Sequence, residues 1–134
     1  MHNKTIAELA RLQEEMDRFD DQRLRISREL AFLLAKHVRI MAESRRKQKT
    51  ERLGDLLGEA QELKRQLKIQ YEFFTRHTYR KYMSSNSEFT VKDSLVQETK
   101  EDLVSRFESI IRPDVIKILD ILEEFINRCK AAVH

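Results

Sequence analysis

Apolar positions recur along the first third of the chain at alternating steps of three and four. They are Leu9, Leu12, Met16 and Phe19, then Ile26, Leu30, Leu33 and Ile40, with Arg23, His37 and Ser44 in the same register. Alternating threes and fours mark the face of one long helix packed lengthwise on others. The pattern predicts helix 1 over about residues 5–47, opened by Thr5 and Glu8 as a capping box. At 1.5 Å per residue such a helix is about 60 Å long and needs neighbours along its length. A second row, Leu24, Ala31, Leu34, Val38 and Met41, widens the apolar arc in the later half. A wide arc predicts two neighbouring helices there, and the narrow first half predicts fewer.

The stretch 43–52 is charged, and a turn is expected near 46–50, with Gly54 and Asp55 as further candidates for a helix end and a new cap. Helix 2, about 50–84, carries Leu53, Leu57, Ala60, Leu63, Leu67, Tyr71, Phe74 and Tyr82 at helical spacing. It gives way to Ser84-Ser85-Asn86-Ser87. Thr90 and Asp93 then open a third segment, about 91–132, through Val96, Thr99, Leu103, Phe107 and Ile110. Pro113 lacks an amide hydrogen, so the third helix should kink or restart there. The apolar phase nevertheless continues through Ile111, Val115, Ile118, Leu122, Phe125, Cys129 and Ala132. The expected fold is all-α: one domain, an antiparallel bundle of three long helices with coiled-coil-like packing, the third kinked or split at Pro113. Its general shape is similar to that of spectrin-like repeats, as an architecture only.

Composition agrees with this reading. The 134 residues include 2 Gly, 1 Pro and no Trp, and 37% are charged. That leaves little turn material for a many-stranded sheet. One cysteine, Cys129, excludes an internal disulfide, and its place on the apolar phase reads as core. No apolar run approaches membrane-span length, and the N-terminus lacks a charged-then-apolar signal pattern, so an intracellular setting is expected.

Charge is laid out in blocks. Residues 1–24 sum to −2, residues 25–82 to +8 and residues 83–134 to −3. Within the basic block, Arg45, Arg46, Lys47, Lys49 and Arg52 fall at the expected hairpin tip. They are the candidate site for an acidic partner: a nucleic-acid backbone, an anionic membrane or an acidic protein segment. A second cluster, Arg76, His77, Arg80 and Lys81, interleaves with Tyr71, Phe73, Phe74, Tyr79 and Tyr82. Rings among cations suit single-stranded nucleic acid. The competing expectation makes Tyr71, Phe74 and Tyr82 core and sets the cations against Asp17, Asp20 and Asp21 across the hairpin.

Catalytic signals are thin. There is no Gly-rich phosphate loop and no G-x-S-x-G, and no His has another His or a carboxylate three or four residues away. No cofactor or metal is implied. Arg23 and His37 are polar residues in the apolar seam, and such residues often set register. Arg128, followed six residues on by His134, resembles the Arg–His motif of HEPN ribonucleases, an all-α family of similar size, and that resemblance would imply RNA cleavage. The resemblance spans seven residues, and Cys129 stands where that family often has a polar residue. The leading expectation is a non-enzymatic protein–protein interaction module, a scaffold or adaptor. Its partners would bind through helix faces, with a homodimer among them and Leu9, Leu12, Met16 and Phe19 as the assembly seam.

Overall fold

The computed structural model describes residues 2–43, 45–84 and 94–133 and forms an all-α bundle of three long rods. The first rod is α1, His2–Met41. The second joins α2 (Arg46–Phe73), a wider π-helical segment π1 (Phe74–Tyr79) and α3 (Arg80–Ser84). The third joins α4 (Ser94–Arg106), π2 (Phe107–Ile111) and α5 (Arg112–Val133).

Side-chain pairs fix the directions. Arg52 meets Glu43, Lys36 meets Glu59 at 4.0 Å, Arg25 donates to Gln66 at 3.0 Å, and the Phe19 ring stacks on Phe74 at 5.3 Å. The second rod is therefore antiparallel to α1. Lys64 lies 4.0 Å from Glu123, and Tyr79 donates to Glu108 at 3.0 Å, so the third rod is antiparallel to the second. It runs parallel to α1: Arg106 meets Asp17 and Asp20, Arg23 meets Asp114, and the His37 ring meets Phe125.

One continuous core runs the length of the bundle, from Leu9, Leu12, Met16 and Phe19 to Leu122, Phe125 and Cys129. Each large side chain taken fully out of water stabilises the fold by roughly 1.5–3 kcal/mol before entropy is counted. The hairpin turn comes earlier than the charge pattern suggests. Helix 1 stops at Met41, where tight bonds from the Ala42 amide to Arg39 and from the Glu43 amide to Ile40 close its last turn. Arg45 is extended, α2 begins at Arg46, and Arg52 reaches back to Glu43 across the turn. Gly54 lies inside α2, with no positive φ, so it neither ends a helix nor precedes a cap. Helix 1 also starts earlier than the Thr5–Glu8 box, at His2. The expected start at Thr90 and Asp93 falls outside the described residues.

Pro113 does not split the third rod. The helix widens just before it: Arg112 donates to Phe107, five residues back, in place of the usual four. A tight α-turn would drive the proline ring into the carbonyl at Ser109, and the wide turn stands where that clash would fall. The apolar row steps accordingly by fours, Leu103, Phe107, Ile111 and Val115, all buried. Ile110, expected in that row, is exposed. In the second rod Arg80 donates to Thr75, again five residues back. This puts Phe74 and Tyr79, five apart, on one buried side. The two wide turns face each other, with the Tyr79 and Phe107 rings 4.3 Å apart and Phe74 5.2 Å from Phe107.

Candidate interaction surface

The expected assembly seam is taken up by the chain itself. Leu9, Leu12, Met16 and Phe19 are buried in the intramolecular core, Met16 completely. The later half of α1 meets both other rods, as its wide apolar arc predicts, through Lys36 with Glu59 and His37 with Phe125. The narrow first half of α1 is fully covered. The second row, in the later half, is open: Leu24 is 45% exposed, Leu34 39%, Val38 69% and Met41 45%.

The reason lies in how α1 meets the third rod. At one level the contact is ionic. Arg23 is buried and donates to Asp20 at 2.7 Å and to Asp114, while Arg106 reaches Asp17 at 2.6 Å and Asp20 at 3.0 Å. Burial alone would lower the Arg23 pKa. The hydrogen bonds that the guanidinium donates to Asp114 and Asp20 outweigh it and leave its pKa above the ordinary value. Leu34 and Met41 lie about three and five whole turns beyond Arg23, so they continue the face by which Arg23 reaches the third rod. Ile121, Phe125 and Ala132 stand about two, three and five turns beyond Asp114 and continue the facing row. Past the bridge, both sides are apolar. His37 closes the floor with its ring edge-on to Phe125 at 5.3 Å. The walls do not close: Leu34, Val38, Met41 and Ala132 remain exposed, and Ile121 is half-buried. The result is an apolar cleft between α1 and α5, open to water along its outer side.

Around this cleft the charge is one-signed on α1. Residues 30–42 contain no carboxylate. Arg28 and Arg39 share a phase beyond the apolar arc, away from α5, where Arg39 lines the grooves between α1 and α2; both are exposed and take part in no ion pair among the described residues. On the α5 side the rim carries exposed Lys117 and an Arg128–Glu124 pair at 2.8 Å. On its other flank α1 forms a groove with α2 beneath Phe32, which is 67% exposed. Gly58 lines this groove, and no atom lies within 4 Å of where its side chain would begin. Glu29, Glu59 and Glu62 make that groove mixed in charge.

The tip cations do not act as a set of five. Arg52 is engaged with Glu43. Arg45, Arg46 and Lys47 are exposed, and Lys49 is half-buried. The first turn of α2 contains no acid, and Arg45 offers no side-chain cap, an arrangement that opposes the helix dipole. The same cations stand beside the carbonyl end of α1, where that dipole favours them.

The aromatic–basic cluster divides. Tyr71 is half-buried, and Phe74, Tyr79 and Tyr82 are core. Arg112 covers this cluster, 4.8 Å from the Phe107 centroid and donating to the Tyr71 hydroxyl at 2.9 Å. Asp17 and Asp20, the expected complements of these cations, are engaged by Arg106 and Arg23. Phe73 is 62% exposed with the His77 ring 4.9 Å away, and Arg76 and Arg80 are exposed beside them. Of the HEPN-like pair, Arg128 is exposed and bound to Glu124, and His134 lies outside the described residues.

Among the described residues no three His, Cys, Asp or Glu are grouped to hold a metal, and no helix is long and apolar enough to cross a membrane. The fold is a three-rod helical bundle, and α1 carries an open apolar row over its later half. No protein-family model matches the chain, and no curated protein and no solved structure matches it.

Proposed function

We propose that this chain is a non-enzymatic helical interaction module whose working surface is the open face of α1 over residues 24–41. The observation that carries the reading is the exposed row Leu24, Leu34, Val38 and Met41, set on a helix whose opposite face is core. A contiguous apolar face rimmed by polar residues marks a binding surface far better than scattered apolar residues do. The experiment is site-specific photocrosslinking from position 38, with position 120 on α5 as control. Captured proteins are identified and their binding is rebuilt from purified components. A partner captured at position 38 and not at 120 supports the reading. Equal capture at both overturns it.

A second reading, single-stranded nucleic acid, is favoured by the exposed Phe73–His77 ring pair beside Arg76 and Arg80. Bases stack on such rings, and phosphates attract such cations. Binding of an oligonucleotide should then fall steeply with salt and be lost in Phe73→Ala with Arg76→Glu. Binding unchanged by those substitutions ends this reading.

A further inference from the structure

The outer side of the second rod joins two apolar side chains to a run of cations, and the open row of α1 makes no use of it. We infer that this side of the rod, from Lys68 to Arg80, binds the surface of an anionic lipid bilayer, with Ile69 and Phe73 entering the headgroup boundary.

Placement comes first. Two positions along a helix turn it by about 200°, so Ile69 stands almost opposite Leu67, which is completely buried. Phe73 follows one turn on and keeps that outward side. Ile69 is 52% exposed, and Phe73 is more exposed still. Both project from a convex rod. A bilayer interface accepts apolar side chains presented in this way, whereas a partner helix is held by a groove with apolar walls.

Charge selects the lipid. Residues 64–82 hold six Lys and Arg and one carboxylate, Glu72, which is half-buried. Lys68, Arg76 and Arg80 are exposed and take part in no ion pair among the described residues. From α1, Glu8 and Glu15 border the groove beside Phe73; both are half-buried, and Arg11 meets Glu15 at 3.3 Å. The exposed and unmatched charge around the apolar pair is positive, the sign that anionic headgroups attract.

Nucleic acid would use the same cations and forms the second reading above. It stacks successive bases on a series of exposed rings. Here Phe74, Tyr79 and Tyr82 are buried, and Phe73 has the His77 ring against it. Ile69, one turn away, gives a base no ring to stack on and gives a bilayer an apolar foothold. The bilayer therefore accounts for an exposed residue that a nucleic-acid strand leaves unexplained. Phe74 stacks on Phe19, so this surface stands level with the first half of α1, and the open row lies in the second half. A chain held to lipid in this way keeps that row free for a partner.

The test sediments the full chain with vesicles of phosphatidylcholine and phosphatidylserine in equal parts, and with vesicles of phosphatidylcholine alone. The chain should pellet with the first and stay in solution with the second, and binding should fall as salt rises. Ile69→Ser should weaken binding by about tenfold, as one apolar side chain leaves the boundary. Lys68→Ala, Arg76→Ala and Arg80→Ala should each weaken it by about fivefold. All four positions are exposed, and circular dichroism checks that each variant stays folded. Equal retention by both kinds of vesicle removes the anionic headgroup and overturns the inference. Retention that Ile69→Ser leaves unchanged is adsorption by charge alone and overturns it too. Retention by neither vesicle also overturns it, and a single-stranded oligonucleotide bound in that case assigns the cations to nucleic acid. None of these results touches the reading of the α1 face, which crosslinking at position 38 decides.

Discussion

The guanidinium of Arg23 on α1 donates to the carboxylate of Asp114 on α5, and the apolar cleft begins where that bridge ends. The bridge ties together two rods that otherwise meet through a few long side chains. Arg23 is nearly out of water, whereas Asp114 is about a third exposed, so the pair is stronger than a surface pair and weaker than a fully buried one. Asp114→Asn should cost about 1–2 kcal/mol in urea unfolding. A double-mutant cycle with Arg23→Met should give a coupling of at least about 0.5 kcal/mol that changes little with salt. A coupling of zero would remove the bridge as a tie between the rods.

Two residues five positions apart should respond oppositely to truncation. Leu33 is in the core, and Val38 stands on the open face. Leu33→Ala should lose about 2–5 kcal/mol. Val38→Ala should stay within about 0.5 kcal/mol of the parent. Comparable losses at both positions, measured by chemical denaturation, would show that the cleft is closed in solution.

Alkaline pH should loosen the end of the bundle around the wide turns. Burial, reinforced by Glu108, pushes the Tyr79 hydroxyl up to about 12, and burial with Glu8 nearby does the same for Tyr82. Below pH 10 both tyrosines are protonated whether the chain is folded or not, and their contribution is intact. Between about 10 and 12 the unfolded chain ionises them and the folded chain does not, so stability falls as pH rises. Unfolding midpoints at about pH 9 and about pH 11.5 measure the loss. Tyr79→Phe should make that loss smaller, and an unchanged slope would count against the assignment.

Cys129 is completely buried, and burial raises its thiol pKa. An aromatic disulfide reagent should therefore label the native protein only as fast as the bundle opens, and label it at once in denaturant. Cys129→Ser should destabilise more than Cys129→Ala, because the hydroxyl enters an apolar site. Fast labelling of the folded chain would place the thiol at the surface.

The all-α class, the three rods and most of the core follow from periodicity alone, because Leu9 through Ile40 keep one helical phase along most of α1. What escaped was decided by tertiary structure. The row at Leu24, Leu34, Val38 and Met41 has the composition of a buried face. Only the positions of the other rods reveal that nothing covers it. Tyr79 was not legible as a partner of Phe74, since five-residue spacing is out of phase in a regular helix. The turn moved to residues 42–45 because Glu43 takes Arg52, a pairing across nine residues that no local propensity encodes. Arg23 could be read as a polar seam residue, but its partner Asp114 is distant in the chain.

The facing wide turns also bear on how this chain tolerates a change in length. Each holds one residue more than a regular turn, and one residue rotates everything beyond it by about 100°. Deleting a residue from π2 alone would turn the whole of α5 away from its partners, taking Phe125 and Cys129 out of the core. Deleting one from π1 alone would do the same only to the short α3 beyond it. In the second rod the loss is confined to the end that carries Tyr82, whereas in the third rod Phe107–Ile111 is the gauge that keeps the whole of α5 in register with the core.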